Sequence, residues 1–216
     1  MDGGNTSQSP TYPHNNVNNF SSSVSNYKFG LSSGYFNNSN FTITNIPSGS
    51  VSNTLEFWLK LNTLASRIIF TTSSYGLKLD VNSSGTLGIS ASTSGTSWDL
   101  TASSSNNISV DTWNHIAITY TSGDVVLYLN GTSVATLSNA VLSLTDLAFG
   151  YDSDNVTYIS GYIDELRLSS NVRYSSSFTP ATSVFTRDAS TILLNHFDIP
   201  TSQYDISSSD DSYSTV

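Results

Sequence analysis

Apolar and polar residues alternate along most of this chain, which is the pattern of β-strands with one buried face. The clearest example is the stretch 54–61. Its apolar face consists of Leu55, Phe57, Leu59 and Leu61. Its other face consists of Thr54, Glu56, Trp58 and Lys60. No segment shows a sustained helical period, so the sequence predicts an all-β protein.

Further short strands are predicted at regular intervals, separated by turn residues. They cover residues 67–72, 76–81, 86–91, 113–120, 125–130, 133–137, 144–150, 156–160 and 162–169. The pair Asn130-Gly131 favours a left-handed turn between two of them. Many short strands without intervening helices predict a β-sandwich jelly roll of two antiparallel sheets rather than an α/β fold.

The two ends of the chain differ from its middle. Residues 1–19 are polar and contain two prolines, which predicts an extended N-terminal arm, and residues 199–216 form an acidic tail rich in Ser and Asp. The sandwich is expected to span residues 20–198. Extended arms can grip a neighbouring subunit, and weak sugar sites benefit from multivalency, so we expect a homo-oligomer.

Composition excludes several partners. Only 11% of the residues are charged, yet the net charge is −9, and the chain has seven basic residues. This supply cannot neutralise a row of phosphates, so we expect no nucleic-acid partner. No stretch is long and apolar enough for membrane insertion. The absence of cysteine excludes disulfides and cysteine metal sites. The first ten residues show no secretion signal.

Several short motifs follow one another along the chain in the order in which one protein family has them. They are Lys28-Phe29-Gly30, Phe41-Thr42-Ile43, Leu55 to Lys60, Trp113 to Ala117, Leu127 to Gly131, Phe149-Gly150 and Gly161 to Leu168. Together they resemble the laminin G-like jelly rolls of the concanavalin A-like lectin and glucanase superfamily. A second group looks particularly like the bacteriophage versions: Arg173-Tyr174, Phe178-Thr179-Pro180, Asp188 and Leu193 to Asp198.

The resemblance has one departure. In related phage proteins a Leu-Leu-His-Phe-Asp strand usually opens the domain, whereas its look-alike here lies at the C-terminal end. We therefore predict that Ile192 to Phe197 takes the place of the missing first strand, in its own subunit or in a neighbour's.

Enzymatic activity has to be considered, because this superfamily also contains glycoside hydrolases. Such enzymes use two carboxylates about 5 to 10 Å apart. The chain has only two glutamates, Glu56 and Glu165, and they lie on different predicted strands. The three histidines stand apart from any catalytic motif, and His115 is expected to pack on a sheet face. We therefore expect no catalytic residue and no enzymatic activity.

A metal site is suggested by the stretch around Asp164. The spacing of Ile163, Leu166 and Leu168 breaks strict alternation and predicts a bulge at Asp164-Glu165. The resemblance implies that Asp164 holds a structural Ca²⁺ with backbone carbonyls; otherwise Asp164 pairs with Arg167 or caps backbone amides. Asp152 and Asp154 form an acidic loop that resembles a calcium or sugar-contacting loop, or is a solvated turn.

Sugar binding requires exposed aromatic rings with polar groups beside them. The predicted ligand-binding residues are Trp58, Tyr128, Tyr151, Asn155 and Tyr158. Trp98 and Tyr75 are further aromatic candidates. Arg173 and Tyr174 are interpreted as packing, with Tyr174 sealing the sandwich end and Arg173 bonding chain carbonyls.

These observations lead to one hypothesis with two rivals. The resemblance implies a non-enzymatic protein of the phage virion surface, on tail, fibre or capsid, whose partners are other virion proteins and host cell-surface glycans. The first rival is a purely structural capsid decoration or cement protein. The second is a glycoside hydrolase, which would lose activity on Glu56→Gln substitution.

Overall fold

The computed structural model describes residues 16–18, 20–47, 52–150 and 158–198. Apart from one 3-10 turn at Ser73–Tyr75, the regular elements of these residues are β-strands. The strands are β1 (Asn16–Asn18), β2 (Ser21–Ser23), β3 (Ser33–Asn37), β4 (Asn40–Ile43), β5 (Ser52–Leu61), β6 (Arg67–Thr71), β7 (Leu77–Val81), β8 (Thr86–Ala91), β9 (Leu100–Asn107), β10 (Asn114–Thr121), β11 (Asp124–Leu129), β12 (Thr132–Leu137), β13 (Leu147–Phe149), β14 (Ser160–Ser169) and β15 (Thr191–Asn195). Within the described residues, no helix is long and apolar enough to cross a membrane.

The strands form two antiparallel sheets, which confirms the predicted sandwich. The seven-stranded sheet has the order β1-β4-β13-β6-β7-β8-β9. The eight-stranded sheet has the order β12-β11-β10-β5-β14-β3-β2, and β15 adds to it by pairing with β14. Strands β5, β10 and β14 therefore lie at the centre of the eight-stranded sheet, with long pairings on both sides.

The core lies between the inner faces of the two sheets. Leu55, Phe57 and Leu59 of β5 are at most 1% exposed, as the alternation predicts. The ring of Phe57 meets two rings of the opposite sheet, Phe70 at 6.2 Å and Phe149 at 5.5 Å. Full burial of each such side chain contributes about 1.5–3 kcal/mol. The outward residues of the same strands are thereby left to form a second surface.

Strands β1, β2, β3, β4 and β9 lie outside the predicted strand ranges, and one predicted strand, 156–160, is only partly described. Strand β9 has the sequence Leu-Thr-Ala-Ser-Ser-Ser-Asn-Asn, which is too polar to stand out as a strand, and it lies at an edge of its sheet. Of the predicted strand at 156–160, residues 156–157 lie outside the described residues, and of the other three only Ser160 belongs to a strand, where it begins β14.

The C-terminal motif is paired within its own subunit. Strand β15 runs antiparallel to β14, with Leu166 opposite Asn195 and Leu168 opposite Leu193. The prediction that this segment joins the sheet is confirmed. Phe197 follows it into the core and contacts the rings of Phe20 and Phe41. In the predicted arm, residues 16–18 form β1, and the rest of the arm and the tail 199–216 lie outside the described residues.

The predicted bulge in β14 is also present. The register with β5 shifts between Asp164, which lies opposite Trp58, and Arg167, which lies opposite Glu56. Glu165, inside the bulge, has a φ of 54°, an uncommon value for a residue with a side chain. The bulge brings Asp164 and Arg167 to the same outer face of the sheet.

Candidate functional site

The outer face of the eight-stranded sheet is divided into two halves. One half carries Glu56, Trp58, His115 and Tyr128, and it is covered by residues 171–187, which we call the cover segment. Backbone amides anchor this segment: Arg173 donates to Thr54 Oγ1 at 2.9 Å, and Phe178 donates to the carbonyl of Gly131 at 2.8 Å.

Beneath the cover segment lies a charged network centred on Glu56, which is fully buried. Arg167 contacts Glu56 Oε1 through Nε at 2.9 Å and Nη2 at 2.7 Å. Tyr174 donates its hydroxyl proton to Oε2 at 2.7 Å, and His115 Nε2 lies 3.3 Å from the same oxygen. Burial alone would raise the pKa of Glu56, but His115, the charge of Arg167 and the Tyr174 hydroxyl together hold it below its usual value.

Trp58 and Tyr128 are not open to a sugar. Trp58 is 6% exposed and packs with Phe185 and Leu194, while Tyr128 is 3% exposed and contacts the Phe178 ring at 5.5 Å. The prediction that these two rings stack on a ligand is therefore wrong, because the cover segment occupies the position a sugar would take. His115 packs as predicted.

Arg173 and Tyr174 have structural roles, as interpreted, but with other partners. Arg173 bonds Asp188 through both terminal nitrogens at 2.9 Å, and its Nε donates to Ser169 Oγ at 2.6 Å. These acceptors are a carboxylate and a hydroxyl, not the chain carbonyls expected. The paired guanidinium also holds the pKa of Asp188 far below its usual value.

The second half of this face is open, and its aromatic residues lie on neighbouring strands. We call Tyr35, Lys60, Trp113 and Tyr162, together with Asn26, the sheet-face patch. All five are partly exposed. Tyr162 lies opposite Lys60 of β5 and opposite Tyr35 of β3, and Trp113 directly precedes β10. The patch thus crosses four adjacent strands.

The rings of the patch lie close together. Tyr35 and Tyr162 stack at 4.9 Å with an angle of 23° between their planes, and Trp113 lies 6.4 Å from Tyr162. The Lys60 ammonium is 5.7 Å from the Tyr162 ring centre. Asn26 links the polar groups, since its Nδ2 contacts the Tyr162 hydroxyl at 3.2 Å and its Oδ1 accepts from Lys60 Nζ at 3.1 Å. Aromatic faces and polar groups therefore share one rigid platform.

Asp164 borders this patch but does not fit a calcium site. Its Oδ2 accepts from the backbone amides of Lys28 at 2.7 Å and Phe29 at 3.1 Å, and its Oδ1 accepts from the Glu165 amide at 2.8 Å. Calcium requires oxygen ligands, whereas these neighbours present N–H donors. Burial raises the pKa of Asp164 to about 7. The alternative that Asp164 caps backbone amides is confirmed, and Arg167 pairs with Glu56 instead.

Glu165 is the other buried glutamate. Its carboxylate accepts from the Phe185 amide at 2.6 Å and contacts His196 Nδ1 at 2.9 Å. It thereby ties the cover segment to the chain after β15. Neither glutamate of the chain is accessible to a substrate. Among the described residues, no group of three His, Asp or Glu side chains could hold a metal ion.

The other predicted site residues are not brought together with the patch. Tyr151, Asp152, Asp154 and Asn155 lie outside the described residues, so their predicted roles stay predictions. Tyr158 is partly exposed, and its carbonyl accepts from Arg67 Nε at 3.3 Å.

Trp98 and Tyr75 form a separate aromatic pair beside the seven-stranded sheet, with Tyr75 in the 3-10 turn and Trp98 in the loop between β8 and β9. Their rings meet edge to face at 5.3 Å, and Lys78 of β7 lies 5.2 Å from the Trp98 ring centre. Lys78 alternates with the buried Leu77 and Leu79, so it points away from the core. This pair lacks the third ring and the linking amide of the sheet-face patch.

None of the five patch residues was among the ligand-binding residues predicted from the sequence. Tyr162 alternates with the buried Ile163, and Lys60 alternates with Leu59 and Leu61, so their outward direction was readable. Tyr35 and Asn26 could not be placed beside them, because their strand pairing joins distant parts of the chain.

Residues 31–177 match a laminin G family profile described as the concanavalin A-like lectin/glucanases superfamily. The chain belongs to this family. The family membership accounts for the jelly roll. A search of curated protein sequences finds no significant match to this chain.

Solved structures with a similar fold come from several proteins. One is a Bacteroides ovatus protein described as a proposed carbohydrate binding protein, with 16% identity, a TM-score of 0.56, and 75% of this chain and 50% of that chain covered. Another is domain 4 of the Geobacillus stearothermophilus arabinanase AbnA in complex with arabinotriose, with 18% identity, a TM-score of 0.53, and 73% and 82% covered. A third is a sialidase of Trypanosoma rangeli, with 13% identity, a TM-score of 0.56, and 74% and 28% covered. The chain spans half the length of the Bacteroides protein. At these identities, the likeness is one of fold.

Proposed function

We propose that this chain is a non-enzymatic carbohydrate-binding domain whose ligand stacks on the sheet-face patch. The observation that carries the proposal is the set of three partly exposed rings, Tyr35, Trp113 and Tyr162, with Lys60 and Asn26 between them. A sugar ring presents an apolar C–H face and hydroxyl groups at its edge, and such a platform offers partners for both.

The absence of catalysis is supported by the state of the carboxylates. Glycoside hydrolysis requires two carboxyl groups that face the sugar. Glu56 and Glu165 are both fully buried, and each is bonded to neighbours in or near the cover segment. An acid that cannot reach the substrate cannot protonate a leaving group.

The descriptions of similar structures agree with this proposal. One printed description names carbohydrate binding, and another names a bound arabinotriose. These descriptions support sugar binding as a function to test. Because the identities are low, they identify no ligand for this chain.

We further propose that the domain functions on a phage particle, in contact with other virion proteins and as a homo-oligomer. Support comes from the resemblance of the C-terminal motifs, Arg173-Tyr174 and Leu193 to Asp198, to phage proteins. Immunogold labelling of particles with an antibody against the chain tests the location, and light scattering after gel filtration tests the oligomeric state. Unlabelled particles would contradict the virion role.

A glycan array tests the binding function. We expect the purified chain to bind a subset of glycans, and Trp113→Ala to lose most of that binding, because stacking on the face of the sugar depends on the ring. Trp98→Ala is the matched control, since it removes a tryptophan beside the seven-stranded sheet. Melting temperatures of both variants establish that the fold is retained.

The outcomes separate the rivals. A uniformly blank array for a purified multimer would favour a purely structural virion protein. Loss of binding in Trp98→Ala, with Trp113→Ala unaffected, would move the site to the seven-stranded sheet. Release of reducing sugar from host polysaccharide, abolished by Glu56→Gln in a folded protein, would favour the hydrolase.

A further inference from the structure

The polar groups of the sheet-face patch have a fixed hydrogen-bond direction. The Lys60 ammonium can only donate, so the atom of Asn26 that faces it at 3.1 Å must be the oxygen. The other end of the same amide, Nδ2, therefore donates to the Tyr162 hydroxyl at 3.2 Å. Because the hydroxyl oxygen already accepts from Asn26, its own proton remains free to be donated to a ligand.

The charged spare groups of the patch are donors. Lys60 retains two N–H groups after bonding Asn26, and Tyr162 retains one O–H, while the Tyr162 and Asn26 oxygens each keep one lone pair that can accept. A ligand that binds the Lys60 ammonium must supply acceptors. Hydrogen bonds to a charged acceptor are shorter and roughly twice as strong as those to a neutral one, so an anionic group is favoured over a sugar hydroxyl.

The positive charges near the patch also favour an anionic ligand. Two of the three lysines, Lys28 and Lys60, lie at this face in a chain whose net charge is −9. Lys28 lies 4.0 Å from the Trp58 ring centre. In the described part of the chain, the ion pairs are formed by arginine and histidine, and neither lysine takes part in one. Among the described residues, neither positive charge has a carboxylate within ion-pair distance.

Two carboxylates lie beside the strands of the patch, Asp164 and Asp111, and a third, the exposed Asp198, accepts from the amides of Leu31 and Ser32 beyond Lys28. Asp164 is fully buried and bonded to three backbone amides, and its raised pKa of about 7 further reduces its negative charge near neutral pH. Asp111 lies two residues before Trp113 and is exposed at the rim of the patch. Its backbone amide donates to the carbonyl of Leu61. Asp111 is thus the acid at this rim whose removal should strengthen the attraction for an anion.

We propose that the sheet-face patch selects glycans that carry an anionic group, a carboxylate or a sulfate. Lys60 Nζ and the Tyr162 hydroxyl bind the anionic oxygens, and the neighbouring Trp113 ring stacks on the sugar. This inference rests on the proposed function, because it assigns a ligand class to the same patch.

Matched pairs of oligosaccharides test the selection. Trigalacturonate is compared with its carboxyl-reduced neutral form, and a sulfated galactan oligosaccharide with its desulfated form, by isothermal titration calorimetry. We expect at least one charged member to bind about tenfold more tightly than its neutral partner, which corresponds to about 1.4 kcal/mol. The difference should narrow in high salt. Which pair shows it distinguishes carboxylate from sulfate.

Substitutions locate the effect. Lys60→Gln should abolish the preference for the charged member and leave binding of the neutral member within about twofold, because stacking is retained. Tyr162→Phe should reduce the preference by a few-fold, and Asp111→Asn should increase it. Lys78→Gln is the matched control, since it removes a lysine from the other sheet.

Failure of this inference can be told apart from failure of the proposed function. If the charged and neutral members bind with equal affinity, and Trp113→Ala loses both, the anion selection is overturned. The proposal that the patch binds sugars would still stand. Equal effects of Lys60→Gln and Lys78→Gln also overturn it, because they would reflect net charge alone. Absence of binding to any glycan overturns both proposals.

Discussion

The two halves of the outer face of the eight-stranded sheet are built from the same strands but differ in what covers them. Trp58 and Lys60 are both outward residues of β5, yet Trp58 is buried under the cover segment and Lys60 is partly exposed. Likewise on β14, Asp164 is buried and Tyr162 is partly exposed. Outward direction along a strand therefore does not decide whether a residue binds ligand or packs.

The covered half behaves as a second, polar core. It buries an acid and a base together, because Arg167 and Tyr174 satisfy the Glu56 carboxylate on both oxygens. The open half keeps its polar groups at the surface, where their remaining donors face solvent. The comparison predicts that substitutions in the first half affect stability, and substitutions in the second affect binding.

The two tryptophans of this face give the largest contrast. Trp58→Ala should lower the free energy of unfolding by about 3–5 kcal/mol, because it leaves a cavity beneath Phe185 and Leu194. Trp113→Ala should lower it by less, about 1–2 kcal/mol, because the ring is partly exposed although it packs against the same cluster. Urea unfolding of both variants measures the difference. Equal losses would mean that the two halves are not energetically distinct.

Glu56→Gln should destabilise the protein by about 3 kcal/mol, because Arg167 would be left as a buried charge without a counter-ion. Asp111→Asn, at an exposed acid, is the control and should change stability very little. Chemical denaturation at neutral pH measures both. If Glu56→Gln unfolds at the same urea concentration as the wild type, the network does not hold the cover segment in place.

Asp164 should impose a pH dependence on stability. Its pKa is about 7 in the folded protein against 3.8 for an unperturbed aspartate, so between about pH 4 and pH 7 the unfolded chain releases a proton that the folded chain retains. Stability from this group is fully present below about pH 4, falls as the pH rises, and levels off above about pH 7. We expect the advantage of wild type over Asp164→Asn to fall by about 3 kcal/mol across this range.

Denaturant titrations of both proteins at several pH values provide the measurement. Because every other titrating group is common to the two proteins, the difference isolates Asp164. A difference that stays constant from pH 4 to pH 7, or that grows with pH, would contradict the raised pKa.

The pair between Arg173 and Asp188 should give the smallest effect. Asp188→Asn is expected to cost about 0.2–1 kcal/mol at low salt and less at high salt, because the Asp188 side chain is 49% exposed. Thermal unfolding at two salt concentrations measures it. A loss as large as that of Glu56→Gln would mean that this surface pair, rather than the buried network, holds the cover segment.

Much of the fold could be predicted because its signal is local. The alternation in β5, the Asn130-Gly131 turn with φ values of 50° and 81°, and the bulge at Asp164-Glu165 each depend on a few consecutive residues. Strand β9 was missed because its Ser and Asn residues give no apolar period. The candidate site was predicted less well. Whether Trp58 and Tyr128 are open to a ligand depends on the cover segment, which the local pattern of their strands does not reveal.

The sequence by itself determined that two sheets close over an apolar core, and that particular aromatic residues such as Trp58 and Tyr128 lie opposite the apolar face of their strands. It could do so because a period of two assigns each side chain to a face without reference to the rest of the chain. Only the tertiary structure decided which outward residues bind and which pack. That choice depends on residues 171–187, which are far from β5 and β10 in sequence and contact them only through the tertiary fold.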